Sequence, residues 1–238
     1  MPKVSLLFFL LISFVHLSAQ TPELRSACKE LDQLNTAIIN GSVNKQQAAV
    51  KFNQLILSIK NTGAISGNDT WVFPLAGYHA NAIGGTHGNG YSDKGYKYLD
   101  GNKHLAHPAH DIFITDRNQD GLDDRTLKPV NVLAVTDGIV IACTNEWPTA
   151  SALRGGKYIW IYHPQLNMLT YYAHNKAIFV EPGDVVKQGQ RIAEVGRTGY
   201  NAYKKRSPTH LHFSAFHFIN GLPAPFNCYQ NLVKAQAL

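Results

Sequence analysis

The residues best suited to chemistry fall in two short segments far apart in the chain. The first, His107-Pro-Ala-His-Asp111, runs directly into the apolar Ile112-Phe-Ile114, which predicts that it leads into a β-strand. On an extended backbone alternate side chains share a face, so His107 and Asp111 aim together and His110 turns away. The second segment, His210-Leu-His212-Phe213, repeats the device, with both imidazoles on one face and Leu211 and Phe213 on the other. Two imidazoles and a carboxylate make a nitrogen and oxygen donor set that suits Zn2+, at Zn–N distances of about 2.0–2.1 Å with a fourth position left to water. Zinc lowers the pKa of such a water to about 7, which yields a nucleophile at neutral pH. Spare imidazoles, with an ordinary pKa of about 6.5, are suited to moving the proton and steadying a developing oxyanion. That is the chemistry of peptide-bond hydrolysis.

Two further motifs lie between these segments, Tyr172-Ala-His174 and Gly196-x-Thr-Gly199. Taken in order, the four resemble the motifs of the lysostaphin/LytM-type M23 zinc metallopeptidases, which are peptidoglycan endopeptidases, over a stretch from about Val72 to Phe218. The resemblance implies that His107, Asp111 and His212 bind zinc and that His174 and His210 form the catalytic pair. His210 would orient or deprotonate the zinc-bound water that attacks the scissile carbonyl, and His174 would polarise that carbonyl or stabilise the tetrahedral intermediate. It also implies a mainly β fold of the LytM, duplicated-hybrid-motif kind, an antiparallel β-sheet groove with zinc at its floor. The implied partner is peptidoglycan, through its stem or cross-link peptides, often cut at small residues such as Gly or D-Ala. The chain departs from the family at Ala109, where Gly is common, and at His110, where an aliphatic residue is common; no ligand is lost.

A further departure is an insertion, Asp116-x-Asn118-x-Asp120-Gly121-x-x-Asp124. Oxygen donors at alternate positions around a Gly turn are what Ca2+ requires, so a calcium site on Asp116, Asn118, Asp120 and Asp124 is one expectation. An acidic surface turn is the other, because the twelfth position is Leu127 rather than a bidentate Glu.

The elements that must position these residues are legible in the periodicity. From Thr21 to about Asn61, Leu24, Cys28, Leu31, Leu34 and Ile38, then Ala48, Phe52, Leu55, Ile56 and Ile59, recur at helical spacing. Asn40-Gly41 separates the runs and Ser42 is expected to cap the second, which gives an N-terminal α-helical hairpin over residues 20–66. Residues 67–238 are expected to form the peptidase domain. Within it a Gly-, Tyr- and His-rich stretch from Thr70 to Leu105 reads as one wall of a groove, with Trp71, Tyr78, Tyr91 and Tyr158 as aromatic wall or core residues. Short β-type runs follow at 112–114, 132–135, 139–142, 158–162, 169–173, 177–180, 191–195 and 211–219, punctuated by Gly and Pro turns, which predicts an antiparallel sheet.

Residues 1–19 read as a secretory signal peptide, with Lys3, an apolar run from Val4 to Val15, and small residues before Gln20. Export to periplasm or medium follows, with no lipid anchor or transmembrane anchor expected, and a monomer. Cys28, Cys143 and Cys228 form no CxxC pair, which points away from a thiolate metal site and leaves one disulfide open. The formal net charge of +6 would draw the chain to anionic wall polymers or lipid head groups; no nucleic-acid module accompanies it.

Three rival readings have their own features. The M23-like domains that have lost ligands serve as non-catalytic, cell-wall-binding activators of other hydrolases; all five site positions are present here. The run from Val180 to Ile192 resembles half of a lipoyl or biotin carrier, with Lys187 placed inside a turn pair rather than at a hairpin tip. Carboxypeptidases acting on D-Ala peptides also carry HxxxD-like and HxH pairs; Tyr172-Ala-His174 and Gly196-x-Thr-Gly199 favour the endopeptidase.

Overall fold

The computed structural model describes residues 21–63, 65, 70–103, 106–149 and 151–238. The expected signal peptide at residues 1–19, and His104, lie outside them.

The two helical runs become α1 (Pro22–Asn40) and α2 (Lys45–Asn61). Thr21 opens α1 by accepting the Leu24 N–H, and Pro22 follows at a position where a helix has no partner for an N–H. Gly41 ends it in the left-handed conformation that stops helices. The expected cap of the second helix is corrected: the Asn44 side chain accepts the Gln46 and Gln47 N–H groups, while the Ser42 hydroxyl donates back to the Ala37 carbonyl. Asn wins because its carboxamide reaches two free N–H groups at once. The apolar stripe is buried, Leu24, Leu31, Ile38, Phe52, Ile56 and Ile59 all at 2% exposure or less. Each such side chain contributes roughly 1.5–3 kcal/mol.

The β-type runs become β1 (His110–Phe113), β2 (Asn131–Leu133), β3 (Gly138–Thr144), β4 (Tyr158–His163), β5 (Met168–Ala173), β6 (Asn175–Ile178), β8 (Arg191–Val195) and β9 (His210–Ile219). Periodicity did not reveal β7 (Val185–Val186), β10 (Leu222–Phe226) or the terminal α3 (Tyr229–Lys234). β10 carries Pro223 and Pro225, which mark a run as non-strand; it pairs with β9 alone, the edge position where proline is tolerated. The large sheet runs β1-β9-β5-β4-β3-β7, with β10 also on β9, and a smaller sheet runs β2-β8-β6. Every strand pair is antiparallel.

Strand alternation sorts the large sheet's side chains between two cores. Val140, Ile159, Ile161, Leu211 and Phe213 face the small sheet and meet Val132, Ile192 and Val195. Ile139, Ile141, Trp160 and Phe216 face the other way and meet Leu24, Leu31 and Ile38 of the hairpin. In β9 the even positions His210, His212, Ser214 and Phe216 share one face, so the hairpin and the chemistry-bearing histidines lie on the same side of the sheet. Buried polar bonds fix the hairpin there. The Asn35 amide donates to the Tyr158 hydroxyl at 2.9 Å, and the Tyr98 hydroxyl donates to Asn35 Oδ1 at 3.0 Å. Asp32 accepts the Cys143 N–H at 3.0 Å. All three cysteines are free thiols.

His163, fully buried in β4, donates Nδ1–H to the Asp137 carbonyl and accepts the Thr170 hydroxyl on Nε2, both at 2.8 Å. Burial pushes its pKa down to about 4. In the unfolded chain the value is about 6.5, so between those limits the unfolded state binds a proton that the native state refuses. Stability is therefore lost as pH falls through this window, by about 1.4 kcal/mol per pH unit for one proton. Urea unfolding at pH 7 and pH 5 is expected to show a pH slope smaller by about one proton in His163→Gln than in the native sequence; identical slopes would refute the assignment.

Candidate metal centre

The centre is built by the pairing of β1 with β9, whose register sets Asp111 directly opposite His212 and Phe113 opposite His210. Residues opposed across an antiparallel pair share a face, so a carboxylate and an imidazole distant in sequence meet. His107 arrives differently from the simple alternation expected of an extended segment. It precedes the strand, its backbone bonded both ways to Ser92 at 2.9 and 2.8 Å. The Ala109 N–H then turns back onto the His107 carbonyl at 2.8 Å, a three-residue turn centred on Pro108 that swings the imidazole over Asp111. Ala109 itself is buried, so the extra methyl relative to Gly is accommodated.

Asp111 Oδ1 is the focus. His212 Nδ1 lies 3.0 Å from it, His107 Nε2 3.3 Å and His210 Nε2 3.7 Å. One donor atom from each of His107, Asp111 and His212 lies within 4.8 Å of the others, the single such group of three among the described residues. His107 donates Nδ1–H to the Gly90 carbonyl at 3.0 Å, which orients the ring with Nε2 towards the carboxylate. Burial works against ionisation of Asp111, but hydrogen bonds from His107 and His212 hold it far below the usual carboxylate range. Bonding to Asp111 raises the pKa of His107 despite burial, whereas burial lowers that of His212. An ionised carboxylate beside two converging ring nitrogens is the donor set that zinc takes, so the residues present fit the ion.

His210 and His174 stand beside this group with ring centroids 4.9 Å apart. Each gives Nδ1–H to a backbone carbonyl, His210 to Pro208 at 2.7 Å and His174 to Thr198 at 2.8 Å, so each is left with an unprotonated Nε2. Burial, and the neighbouring His210 and His212, keep the pKa of His174 well below its ordinary value. The four motifs are thus brought to one place. Gly196-x-Thr-Gly199 has a packing reason: at Gly199, φ 110°, a β-carbon would meet His174 Nδ1 at 2.7 Å and collide with the Arg154 carbonyl. Thr198 accepts the Lys157 N–H and donates its hydroxyl to the Asn175 carbonyl, both at 2.9 Å, which fixes the carbonyl that orients His174.

Sequence reasoning missed Arg154, Gly155 and Tyr171, which line a cleft of about 280 Å3 with the five site residues. Tyr171 stands opposite Ser214 in β5–β9, and that pairing is the signal that would have found it. Of the aromatic wall candidates, Trp71 packs edge-on against Phe213 in the core between the sheets, Tyr78 bonds Asp123, and Tyr158 bonds Asn35. Tyr91 stacks on His110, whose Nε2–H donates to Asn227. None of the four lines the cleft.

The calcium expectation finds no support: Asp116, Asp120 and Asp124 do not form one of the converging metal-holding groups among the described residues. Asp116 accepts the Asp120 and Gly121 N–H groups and the Thr209 hydroxyl. Asn118 accepts from Asp120, Asp120 from Leu122, and Asp124 from Arg117. These bonds to the loop's own backbone N–H groups are those of Asx turns. Asp116 instead ties the insertion to Thr209, the residue before His210.

Residues 117–223 match the model of peptidase family M23, a span that includes His174, His210 and His212 but begins after His107 and Asp111. The murein hydrolase activator NlpD of Escherichia coli K12 is 38% identical over 94 residues, 39% of this chain and 21% of that protein. An uncharacterized metalloprotease of Buchnera aphidicola is 30% identical over 105 residues, 43% of this chain and 25% of that protein. The matches therefore span about a quarter or less of these relatives' lengths. The crystal structure of a lytM protein from Ruminococcus gnavus superposes with a TM-score of 0.50 at 20% identity, covering 92% of this chain and 88% of that one. The family resemblance carried by the motifs is thus borne out, and so is the mainly antiparallel β fold with its N-terminal helices.

His174 itself adopts φ 67°, a left-handed conformation that only glycine adopts without strain. The strain is tolerated because it turns the ring into the cleft directly after β5. The expected result is that His174→Gly unfolds at higher urea than His174→Ala, by about 1 kcal/mol; equal stabilities would remove the strain from this residue.

Proposed function

Because residues 117–223 match peptidase family M23, we propose that the chain is an exported zinc-dependent endopeptidase that cleaves stem or cross-link peptides of peptidoglycan. The observation that carries this reading is the convergence of His107, Asp111 and His212 on one point beside two further histidines, at the floor of a cleft. Zinc held by those three would supply Lewis acidity for a water and for the scissile carbonyl.

The chain's own residues do the rest. Asp111 stays ionised and balances the charge of the ion. Gly90 fixes the His107 ring so that Nε2 is the donor. His210, with Nδ1–H held by Pro208 and Nε2 facing the site, takes the proton of the attacking water and returns it to the leaving amine. His174, oriented by Thr198, gains a proton less readily and serves the carbonyl side, where oxyanion charge develops. No helix among the described residues is long and apolar enough to cross a membrane.

A second reading, a binding partner that activates other wall hydrolases, is favoured by the similarity to NlpD, which is named a murein hydrolase activator. The presence of all five site residues, each with its orienting bond, favours the enzyme.

Digestion of defined muropeptides, with and without a chelator and read by mass spectrometry, distinguishes the two. The enzyme yields internal cleavage that chelation abolishes and zinc restores; stoichiometric zinc with no cleavage across several wall types would leave the activator. Asp111→Ala and His212→Ala are expected to lose zinc and activity together. His174→Ala and His210→Ala are expected to keep most of the zinc with turnover reduced by at least about a hundredfold. Wild-type cleavage by either would overturn its role.

A further inference from the structure

The Gly90 carbonyl that orients His107 belongs to a surface loop, and a carbonyl so placed fixes a ring only if the loop itself is held. Residues 84–92 run beside the first motif. The Gly84 N–H donates to the Asp111 carbonyl at 2.8 Å, and Ser92 exchanges backbone bonds with His107 at 2.9 and 2.8 Å. Between these ties the residues from Gly85 to Gly90 are exposed, with the exception of Gly88, which is buried. Exposed, glycine-rich segments are mobile by default, so the seat of Gly88 decides how firmly Gly90 stands.

That seat is made by His110 and Tyr229. At Gly88, φ 74°, a β-carbon would collide with the Tyr229 ring and come within 3.1 Å of His110 Cε1, so the slot admits glycine alone. Three residues on, Tyr91 stacks on the same His110 ring, with centroids 5.7 Å apart and planes 25° from parallel. The ring is fixed in turn by the segment that opens α3. Asn227 Oδ1 accepts the Tyr229 N–H at 3.0 Å, which identifies that atom as the oxygen, so His110 Nε2–H donates to it, also at 3.0 Å. His110 is 2% exposed, and a buried ring with its donor satisfied does not turn without losing that bond. Neither His110, Asn227 nor Tyr229 lines the cleft.

We propose that His110 is a positioning residue for the metal centre: locked by Asn227, it seats Gly88 and Tyr91, and the seated loop holds the Gly90 carbonyl where it keeps His107 Nε2 aimed at Asp111. The proposal rests on the zinc centre of the peptidase reading and adds a link from the start of α3 to a ligand distant in sequence. A ligand ring that is free to turn gives up that freedom when an ion binds, whereas a ring already held does not, so the clamp is worth affinity for the ion.

The test compares the native full chain with His110→Leu, His110→Gln and Asn227→Ala. Zinc affinity is measured by competition with a chelator of known strength. In the metal-free proteins, long-range proton–nitrogen NMR correlations report which nitrogen of His107 carries the proton, and urea unfolding reports stability. His110→Leu and Asn227→Ala are expected to bind zinc about tenfold or more weakly than the native chain. In both, His107 is expected to exchange its single Nδ1–H form for a mixture of the two. His110→Gln, whose amide nitrogen can stand in for Nε2 and donate to Asn227, is expected to recover most of the affinity. A merely structural role would lower stability and leave zinc affinity and the His107 spectrum native; that outcome in His110→Leu and Asn227→Ala would overturn the proposal. Equal affinities in His110→Leu and His110→Gln would overturn it too. A native chain that binds zinc yet cuts no muropeptide would overturn the peptidase and leave these affinity differences standing, whereas a native chain that takes up no zinc would overturn both.

Discussion

The pairing of β1 with β9 is the constraint on which the site depends. A strand's side-chain period is two, so a slip of one residue would turn Asp111 into the core between the sheets and bring His110 to the cleft in its place. The register is held by what lies on the other face: Ile112, Leu211 and Phe213 are fully buried there, and a slip would expose them all. Apolar burial worth several kcal/mol thus fixes the placement of a few polar atoms, although none of the apolar residues touches the site. The insertion reinforces this register from the side, since Asp116 bonds Thr209 at the point where β9 begins.

Around that pair, protons are placed by backbone carbonyls. Gly90, Pro208 and Thr198 each accept an Nδ1–H, from His107, His210 and His174 respectively. A neutral imidazole has one donor and one acceptor nitrogen, so fixing the donor fixes which nitrogen faces the cleft. Burial favours the neutral ring at His174 and His212, and ion pairing favours the charged form of Asp111. The three effects leave one anion among available ring nitrogens, the state in which a divalent cation is welcome.

The hairpin carries the same logic into the shape of the groove. It covers the half of the sheet face that holds Ile139, Trp160 and Phe216 and leaves the half that holds His210 and His212 open. A sheet face of this kind is too apolar to stand in water along its whole length, so the helices are part of the domain's core rather than an appendage to it.

Much of this was written in the sequence. Helical spacing marked α1 and α2, period-two runs marked eight strands, and the four motifs carried the five candidate residues that the fold brings together, because each of these signals is local and needs only a few neighbouring positions to be read. The strands with prolines were hidden, since β10 exists only by virtue of its edge position beside β9. The Asp116–Asp124 loop reads two ways in sequence because an Asx turn and a calcium loop ask for the same residue types, and the fold shows the turn bonds. Arg154 and Tyr171 were likewise out of reach, as each depends on which strands are neighbours and which loops meet across them. Residue type and spacing determined what chemistry the chain has the means to do. Only long-range packing decided where that chemistry stands and what is allowed to approach it, because contacts between segments far apart in sequence leave no mark in either segment alone.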